Sequence, residues 1–286
     1  MQQETRSHYP SNAFGRFWMS VPLVIRSALI GFGITTFGVS IWGLFVEKVP
    51  QGLSFVPMGA FLVFYWMYFR GRWNPSNTKA FRRACTRRTQ LNSRTWSWGL
   101  IGALSFFIFW HSFLVSTFRI VEFRPATFKI FGHLNDSSFE NWSLIIMASI
   151  VAGICEEIGY RGYMQVPLER RYGPVVAISI TSVVFVLIHL HQAWASGPIL
   201  VLLFVISFMG GYLAFASKSL LPSIIGHVAL DIVNFSYWWS DVLGTFERKP
   251  ISLTGVDAHF IWSIIALVLS TGLFVLSVKK LLLSKT

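Results

Sequence analysis

Residues 142–166 read WSLIIMASIVAGICEEIGYRGYMQV. This stretch is mostly apolar up to Cys155, and two adjacent glutamates, Glu156 and Glu157, then follow within it. Because a spanning helix needs about 20 mostly apolar residues, the stretch predicts a transmembrane helix. A charge in the middle of a bilayer costs several kcal/mol, so such residues usually face the interior of a helix bundle and mark a function.

Similar apolar stretches recur along the chain and predict an all-α fold, a polytopic membrane bundle of about eight transmembrane helices. The predicted spans are 21–46, 52–69, 96–118, 142–166, 174–195, 198–217, 220–240 and 259–282. We expect a cytoplasmic or interfacial segment at 1–20 and one membrane domain at 21–286, with its candidate catalytic core at 142–240. Residues 1–17 and 70–95 are expected to be amphipathic or interfacial.

The composition supports a membrane protein, since 53% of the residues are hydrophobic and 13% are charged. Soluble domains carry roughly 25% charged residues. The net charge of +12 does not indicate nucleic-acid binding, because the basic residues flank apolar segments, where they can contact anionic lipid. The two cysteines, Cys85 and Cys155, suggest neither a disulfide framework nor a metal finger.

The basic residues also predict a topology, because Lys and Arg are enriched in short cytoplasmic loops. The loop after the second predicted span is strongly basic and contains no acidic residue; its basic residues are Arg70, Arg72, Lys79, Arg82, Arg83, Arg87, Arg88 and Arg94. With this loop inside, an even number of crossings places both termini in the cytoplasm. No cleavable signal peptide is evident, and we expect a multi-pass protein of the bacterial inner membrane.

The first pair of ionisable residues lies within the fourth predicted span. Glu157 and Arg161 are four residues apart, so they share a helix face and can form an ion pair. Glu156 is rotated by about 100° from Glu157 and cannot share that pairing equally. The sequence therefore predicts that Arg161 holds Glu157 while Glu156 projects into a cavity as a proton acceptor. The competing interpretation is a Glu–Arg pair that only locks helices together.

Two further spans contribute histidines. Phe185 and His189 are four apart, so the phenyl ring can pack against the imidazole, and His191 is interpreted as a polar residue at the outer end. In the seventh span His227 and Asp231 are four apart and Asn234 follows three residues later, which places all three on one face. Such a polar stripe could also serve only as packing between helices.

Together these residues contain the groups for two kinds of hydrolysis. A carboxylate and imidazoles can activate water and stabilise an oxyanion directly. Alternatively, Glu156, His189 and His227, with Asp231 as a further candidate, could bind zinc, which accepts carboxylate and imidazole ligands. The HExxH helix of soluble zinc proteases is absent. The sequence leaves both mechanisms open.

The three motifs, EExxxR from Glu156 to Arg161, FxxxH from Phe185 to His189 and HxxxD from His227 to Asp231, resemble those of the CPBP intramembrane proteases. This family includes the type II (Rce1-like) CAAX prenyl endopeptidases and the bacteriocin-processing or immunity (Abi) proteins. The resemblance covers about residues 142–240. It implies that Glu156 and His189 activate water, and that His227 and residue 231 stabilise the oxyanion or bind metal.

Position 231 is Asp here, whereas the prenyl endopeptidases characteristically have Asn. Because an ionised Asp is a poor oxyanion donor, we expect Asp231 to orient His227, to act as a protonated donor or to bind metal. The resemblance implies an endopeptidase acting on a membrane-associated or prenylated CAAX-like peptide, with membrane lipid as its other partner. The alternatives are a non-catalytic scaffold or immunity protein that uses the same cluster for binding, and a transporter or proton channel.

Overall fold

A computed structural model describes residues 13–50, 52–122, 138–190, 197–238, 240–244 and 247–284, and in this part of the chain the regular structure is entirely helical. The helices are α1 (Ala13–Ser20), α2 (Leu23–Lys48), α3 (Phe55–Phe69), α4 (Lys79–Cys85), α5 (Ser93–Ile120), α6 (Ser138–Glu156), α7 (Gln165–Tyr172), α8 (Pro174–Ile188), α9 (Pro198–Ser217), α10 (Leu221–Val233), α11 (Ile251–Thr254) and α12 (Ala258–Leu283). Two π-helical segments, Glu157–Met164 and Asn234–Trp238, continue α6 into α7 and extend α10.

The predicted fold class, a polytopic bundle of membrane helices, is confirmed. Five helical segments are long and apolar enough to cross a membrane, namely Leu23–Lys48, Ser93–Ile120, Ser138–Tyr172, Pro198–Ser217 and Ala258–Leu283. Two shorter apolar helices, α3 and α8, accompany them, and α10 with its π extension occupies the position of the remaining predicted span. The protein is therefore an integral membrane protein.

Several predicted boundaries differ from the observed helices. The helix predicted at 142–166 runs from Ser138 to Tyr172 because its polar last turns, QVPLERRY, stay helical beyond the apolar run. The helix predicted at 174–195 ends at Ile188, and the end of that prediction, with His191, lies outside the described residues. Of the segments predicted to be amphipathic, Ala13–Ser20 is a helix with no buried residue, in which Phe14 and Phe17 are exposed.

Close packing of α2 against the π segment Glu157–Met164 brings the N-terminal part of the chain to the centre of the bundle. A Cβ built on Gly31 would lie 2.9 Å from the carbonyl oxygen of Gly159, and one on Gly159 would lie 2.2 Å from Thr35 Oγ1. The Thr35 hydroxyl donates to the carbonyl oxygen of Cys155 over 3.2 Å. Small residues thus let the two backbones touch, as is common between membrane helices.

The end of α5 is joined to the start of α12 by a buried arginine. Arg119 is 0% exposed and donates from Nη1 to Asp257 Oδ2 over 2.5 Å and from Nη2 to Thr254 Oγ1 over 2.9 Å. Asp257 is also the N-cap of α12, where its Oδ1 accepts from the backbone N–H of Phe260. The hydrogen bond from Arg119, followed by that from Phe260, lowers the pKa of Asp257.

We expect Gly31→Ala to lower the free energy of unfolding by about 1–3 kcal/mol, because the added methyl group must push α2 away from the Gly159 carbonyl. Thermal unfolding of the purified protein in detergent measures this effect. Gly33→Ala is the matched control on the same helix, since a Cβ there has no neighbour within 4 Å. Equal melting temperatures for the two variants would contradict the close approach of α2.

We expect Asp257→Asn to destabilise the protein at neutral pH and to matter progressively less in acid. A carboxyl whose pKa is lowered on folding contributes stability above its unfolded pKa, about 3.9, and loses it as the pH falls through the folded value. The melting temperatures of the wild type and the variant should therefore converge once the pH falls below the lowered pKa of Asp257 in the folded protein. A difference that stays constant from neutral to acid pH would show that the ion pair with Arg119 does not stabilise the fold.

Candidate active site

The candidate site begins where α6 changes from α-helical to π-helical geometry. Glu156 is the last residue of α6, and Glu157 is the first of the π segment, all of whose residues are buried. The π turn widens the helix, and such turns occur often at functional sites. The two adjacent glutamates consequently differ in environment, since the Glu157 side chain is 1% exposed and that of Glu156 is 14% exposed.

Glu157 is the most highly connected residue of the site. Its Oε1 lies 3.4 Å from Arg161 Nε, so the predicted Glu157–Arg161 pair is present. The same oxygen lies 2.9 Å from His227 Nδ1, and Oε2 accepts a 2.5 Å hydrogen bond from the Ser223 hydroxyl. The sequence prediction limited Glu157 to Arg161, and the structure extends its role to two residues of α10.

Ser223 contacts the candidate site through Glu157, and the sequence did not predict this contact. It is fully buried on α10, and its hydroxyl also lies 3.2 Å from the carbonyl oxygen of Gly210 on α9. Ser223 lies four residues before His227, so the helical spacing used for Asp231 could have placed it on the same face. Serine is frequent in apolar helices, however, and nothing in the sequence distinguishes this one.

His227 lies at the centre of three carboxylates from two helices. With Nδ1 directed at Glu157, its Nε2 lies 3.5 Å from Asp231 Oδ2 and 3.9 Å from Glu156 Oε2. We assign the Nδ1 proton from this contact, because an ionised carboxylate can only accept. The prediction that His227 and Asp231 share a face is confirmed. Glu156, which the sequence predicted to project away from the Glu157–Arg161 pair, lies 3.9 Å from His227 Nε2.

Arg161 is held by more than its carboxylate partner. The guanidinium lies 4.9 Å from the ring centroid of Phe185 on α8, and Nη2 is 3.5 Å from the carbonyl oxygen of Ser207 on α9. Buried charges are tolerated when they are paired and hydrogen-bonded. Arg161 thereby ties the π segment to two neighbouring helices and fixes the direction from which it approaches Glu157.

His189 reaches the site through the hairpin of α7 and α8, which turns at Gly173 with a φ of 79°. In this antiparallel pair Tyr160 and Phe185, 13 residues before and 12 residues after Gly173, make a T-shaped contact at 5.6 Å. One helical turn farther from Gly173, Glu156 lies 17 residues before this glycine and His189 lies 16 residues after it. This count predicts that Glu156 and His189 lie at a similar level of the bundle.

The orientation of the His189 ring agrees with the prediction that Phe185 packs against it. The two ring centroids are 4.4 Å apart, and His189 Nδ1 lies 2.8 Å from the carbonyl oxygen of Phe185. A carbonyl can only accept, so Nδ1 carries the proton and Nε2 keeps its lone pair. His189 is the C-cap of α8 and is half-buried.

Asn234 continues the polar face of α10 at the start of the second π segment. It is 1% exposed, and its Oδ1 has no hydrogen-bond partner among the residues that the structure describes. It lies three residues after Asp231 and seven after His227, which keeps it on their side of the helix. An unpartnered buried amide is costly, so this side chain is available to a bound group.

The metal alternative depends on three ligands coming together. Across the described ranges, no group of three His, Cys, Asp or Glu side chains is arranged to hold a metal ion. The Nδ1 atom of His227 already contacts Glu157, so only its Nε2 atom faces Glu156 and Asp231. The residues as placed do not form the ligand set Glu156, His189 and His227, and zinc binding stays a prediction.

Comparison with known proteins supports the family resemblance. Neither the curated proteins nor the solved structures gave a match to this chain. A family model described as Type II CAAX prenyl endopeptidase Rce1-like matches residues 138–233, which include α6, the first π segment and α7 to α10. All three motifs lie within the matched segment, and the match supports a CAAX-type membrane protease. Over residues 138–233, about a third of the chain, the protein is thus similar to the Rce1-like family, in agreement with the three motifs.

Proposed function

We propose that the protein is an intramembrane endopeptidase that hydrolyses a peptide bond of a membrane-associated or prenylated, CAAX-like substrate. The observation that carries the proposal is the convergence on His227 of the carboxylates of Glu156, Glu157 and Asp231 inside a membrane bundle. Ionisable groups are expensive in a membrane, and a purely structural role would need fewer of them. Membrane lipid and a membrane-associated peptide are the partners that this activity requires.

In the proposed mechanism Glu156 and His189 hold the attacking water between them. The carboxylate of Glu156 takes one proton from the water, and the resulting hydroxide oxygen bonds to the peptide carbonyl carbon. His189 Nε2 accepts a hydrogen bond from the other O–H of the water, whose hydrogen stays on the oxygen. When the tetrahedral intermediate collapses, the C–N bond breaks and the proton held by Glu156 passes to the departing amine. Glu156 thus returns to its ionised form.

His227 is proposed to stabilise the oxyanion that forms on the carbonyl oxygen. Glu157 accepts from Nδ1, so the ring can donate from Nε2 when it carries a second proton, and the nearby carboxylates balance that charge. Asp231, 3.5 Å from Nε2, is proposed to orient the ring. Asn234, which follows α10 on the same side and has an unpartnered Oδ1, is proposed as a supporting residue of the site.

A second part of the proposal concerns the orientation of the protein in its membrane. We propose that both termini and the basic loop 70–95 face the cytoplasm of a bacterial inner membrane, as the distribution of Lys and Arg predicts. The cytoplasmic side would then include the turn at Gly173, from which α8 leads His189 towards the membrane interior. Labelling of single cysteines introduced at exposed loop positions tests the orientation.

We expect Glu156→Gln to abolish cleavage while the protein still accumulates in the membrane. General acid–base catalysis contributes about 10²- to 10⁴-fold, so the rate should fall by at least that much. Comparative peptidomics of cells expressing the wild type or the variant identifies the substrate, and cleavage of that peptide by purified protein measures the rate.

Glu122→Gln is the matched control, because Glu122 is an exposed carboxylate outside the site. Full activity of Glu156→Gln would reject the protease mechanism, and an unchanged cellular phenotype would favour the scaffold or immunity alternative. Metal analysis of the same protein, with cleavage measured after chelation, separates zinc catalysis from direct activation by Glu156.

We expect Ser223→Ala to lower kcat by about 10- to 100-fold with little change in KM, because a hydrogen bond to a charged group contributes about 1.5–3 kcal/mol. Without it the Glu157 carboxylate is less well held against His227, and the pH profile of kcat should shift. Ser182→Ala is the matched control, since Ser182 is equally buried on α8 and its hydroxyl has no partner among the described residues. A similar loss in both variants would mean that Ser223 acts through packing alone.

A further inference from the structure

The connection between α3 and α5, residues 70–92, is stabilised by the buried side chain of Arg82. This side chain is 3% exposed and donates to the carbonyl oxygens of Tyr68, Trp73 and Pro75 over 2.5, 2.5 and 2.8 Å. Its guanidinium also lies 4.5 Å from the ring centroid of Tyr68. These contacts fold the loop back onto the end of α3.

A second arginine of this connection is neutralised within the fold. Arg87 donates to Glu169 over 2.5 Å, and Glu169 also accepts from Gln165 on α7. Arg82 and Arg87 are therefore explained by the architecture itself. The remaining arginines near the end of α3 are not.

Three arginines lack such partners: Arg70, Arg72 and Arg88. Within the described part of the chain, none of them has an ion pair or a side-chain hydrogen bond to an acceptor, and residues 70–94 include no acid. Arg70 ends α3 with its guanidinium 4.8 Å from the Trp66 ring centroid. Arg72 and Arg88 are exposed.

The loop brings these three cations close together. Arg83 Nε donates to the carbonyl oxygen of Gly71 over 3.4 Å, and the backbone N–H of Arg88 donates to the carbonyl oxygen of Arg83 over 3.2 Å. Partial burial, followed by the positive charges of Arg88 and Arg72, lowers the pKa of Arg70. Like charges gathered without a counter-ion repel one another, and a bound anion would relieve this repulsion.

The surroundings of the cluster match the depth of lipid headgroups. Trp73 packs on Phe64 of α3 with ring centroids 5.2 Å apart, and Phe64 is 56% exposed on the outer face of an apolar helix. Tyr68 and Phe81 are also partly exposed beside the loop. Trp and Tyr are enriched at the membrane interface, where lipid phosphates lie.

We propose that Arg70, Arg72 and Arg88 form a binding site for the phosphate of an anionic phospholipid. Guanidinium groups suit phosphate because they present several donors in a planar fork. A lipid is favoured over an acidic peptide because the cluster lies at the end of an apolar helix, among aromatic side chains that are exposed to the membrane interface. The site lies outside the candidate active site and does not depend on proteolysis.

The test uses the full-length protein in detergent, with thermal unfolding followed at increasing concentrations of dioctanoyl-phosphatidylglycerol. We expect a saturable rise in melting temperature that dioctanoyl-phosphatidylcholine does not reproduce. The triple variant Arg70→Gln, Arg72→Gln, Arg88→Gln should bind the anionic lipid about 100-fold more weakly, and the single variants Arg72→Gln and Arg88→Gln about fivefold. If the triple variant does not fold, the single variants Arg72→Gln and Arg88→Gln provide the test.

The matched control replaces three other exposed arginines, with Arg94→Gln, Arg170→Gln and Arg171→Gln, and should keep the wild-type affinity. An equal loss of affinity for phosphatidylglycerol in this control would show that only net charge matters, and it would overturn the proposed site. Equal stabilisation by phosphatidylcholine or by inorganic phosphate would overturn the lipid as its occupant. Tighter binding of polyglutamate than of phosphatidylglycerol would assign the cluster to an acidic peptide instead.

Discussion

The buried carboxylate of Glu157 is the interaction on which the arrangement of the site depends. An isolated charge in an apolar interior costs far more than a folded protein can tolerate, so its partners must be in place whenever the bundle is formed. Those partners are Arg161 on its own helix and both Ser223 and His227 on α10. Satisfying this one group therefore sets the rotation and depth of α10 relative to α6.

The need to pair the Glu157 carboxylate also fixes the orientation of the side chains around it. Because the carboxylate engages His227 at Nδ1, the opposite nitrogen of the ring faces Glu156 and Asp231. Arg161 cannot move without leaving Glu157 unpaired, and its contacts with Phe185 and Ser207 extend the constraint to α8 and α9. The histidines thus receive their orientation from residues that need not contact the substrate.

Both π-helical segments begin at residues of the candidate site. The first begins at Glu157 and the second at Asn234, three residues after Asp231. A π turn shifts the register of the residues beyond it, so the side chains before and after it can meet different neighbours. In the first segment this geometry accompanies the contact of Gly159 with α2, which leaves no space for a larger side chain.

The sequence by itself determined the class of fold and most of the residues of the candidate site. Apolar runs of spanning length predicted the helices, and the cost of charge in a bilayer singled out Glu156, Glu157, His227 and Asp231, because both effects depend on residue type and spacing alone. Helical spacing also predicted the Glu157–Arg161 and His227–Asp231 contacts, since these are formed within one helix.

Contacts between helices were decided only by the tertiary structure. The hydrogen bonds that join Glu157 to Ser223 and His227 depend on how distant segments of the chain pack. A serine in an apolar helix looks the same in sequence whether or not a buried carboxylate lies opposite. The free energy of pairing that carboxylate across the bundle, which no local pattern encodes, selects Ser223 and His227 as the partners of Glu157.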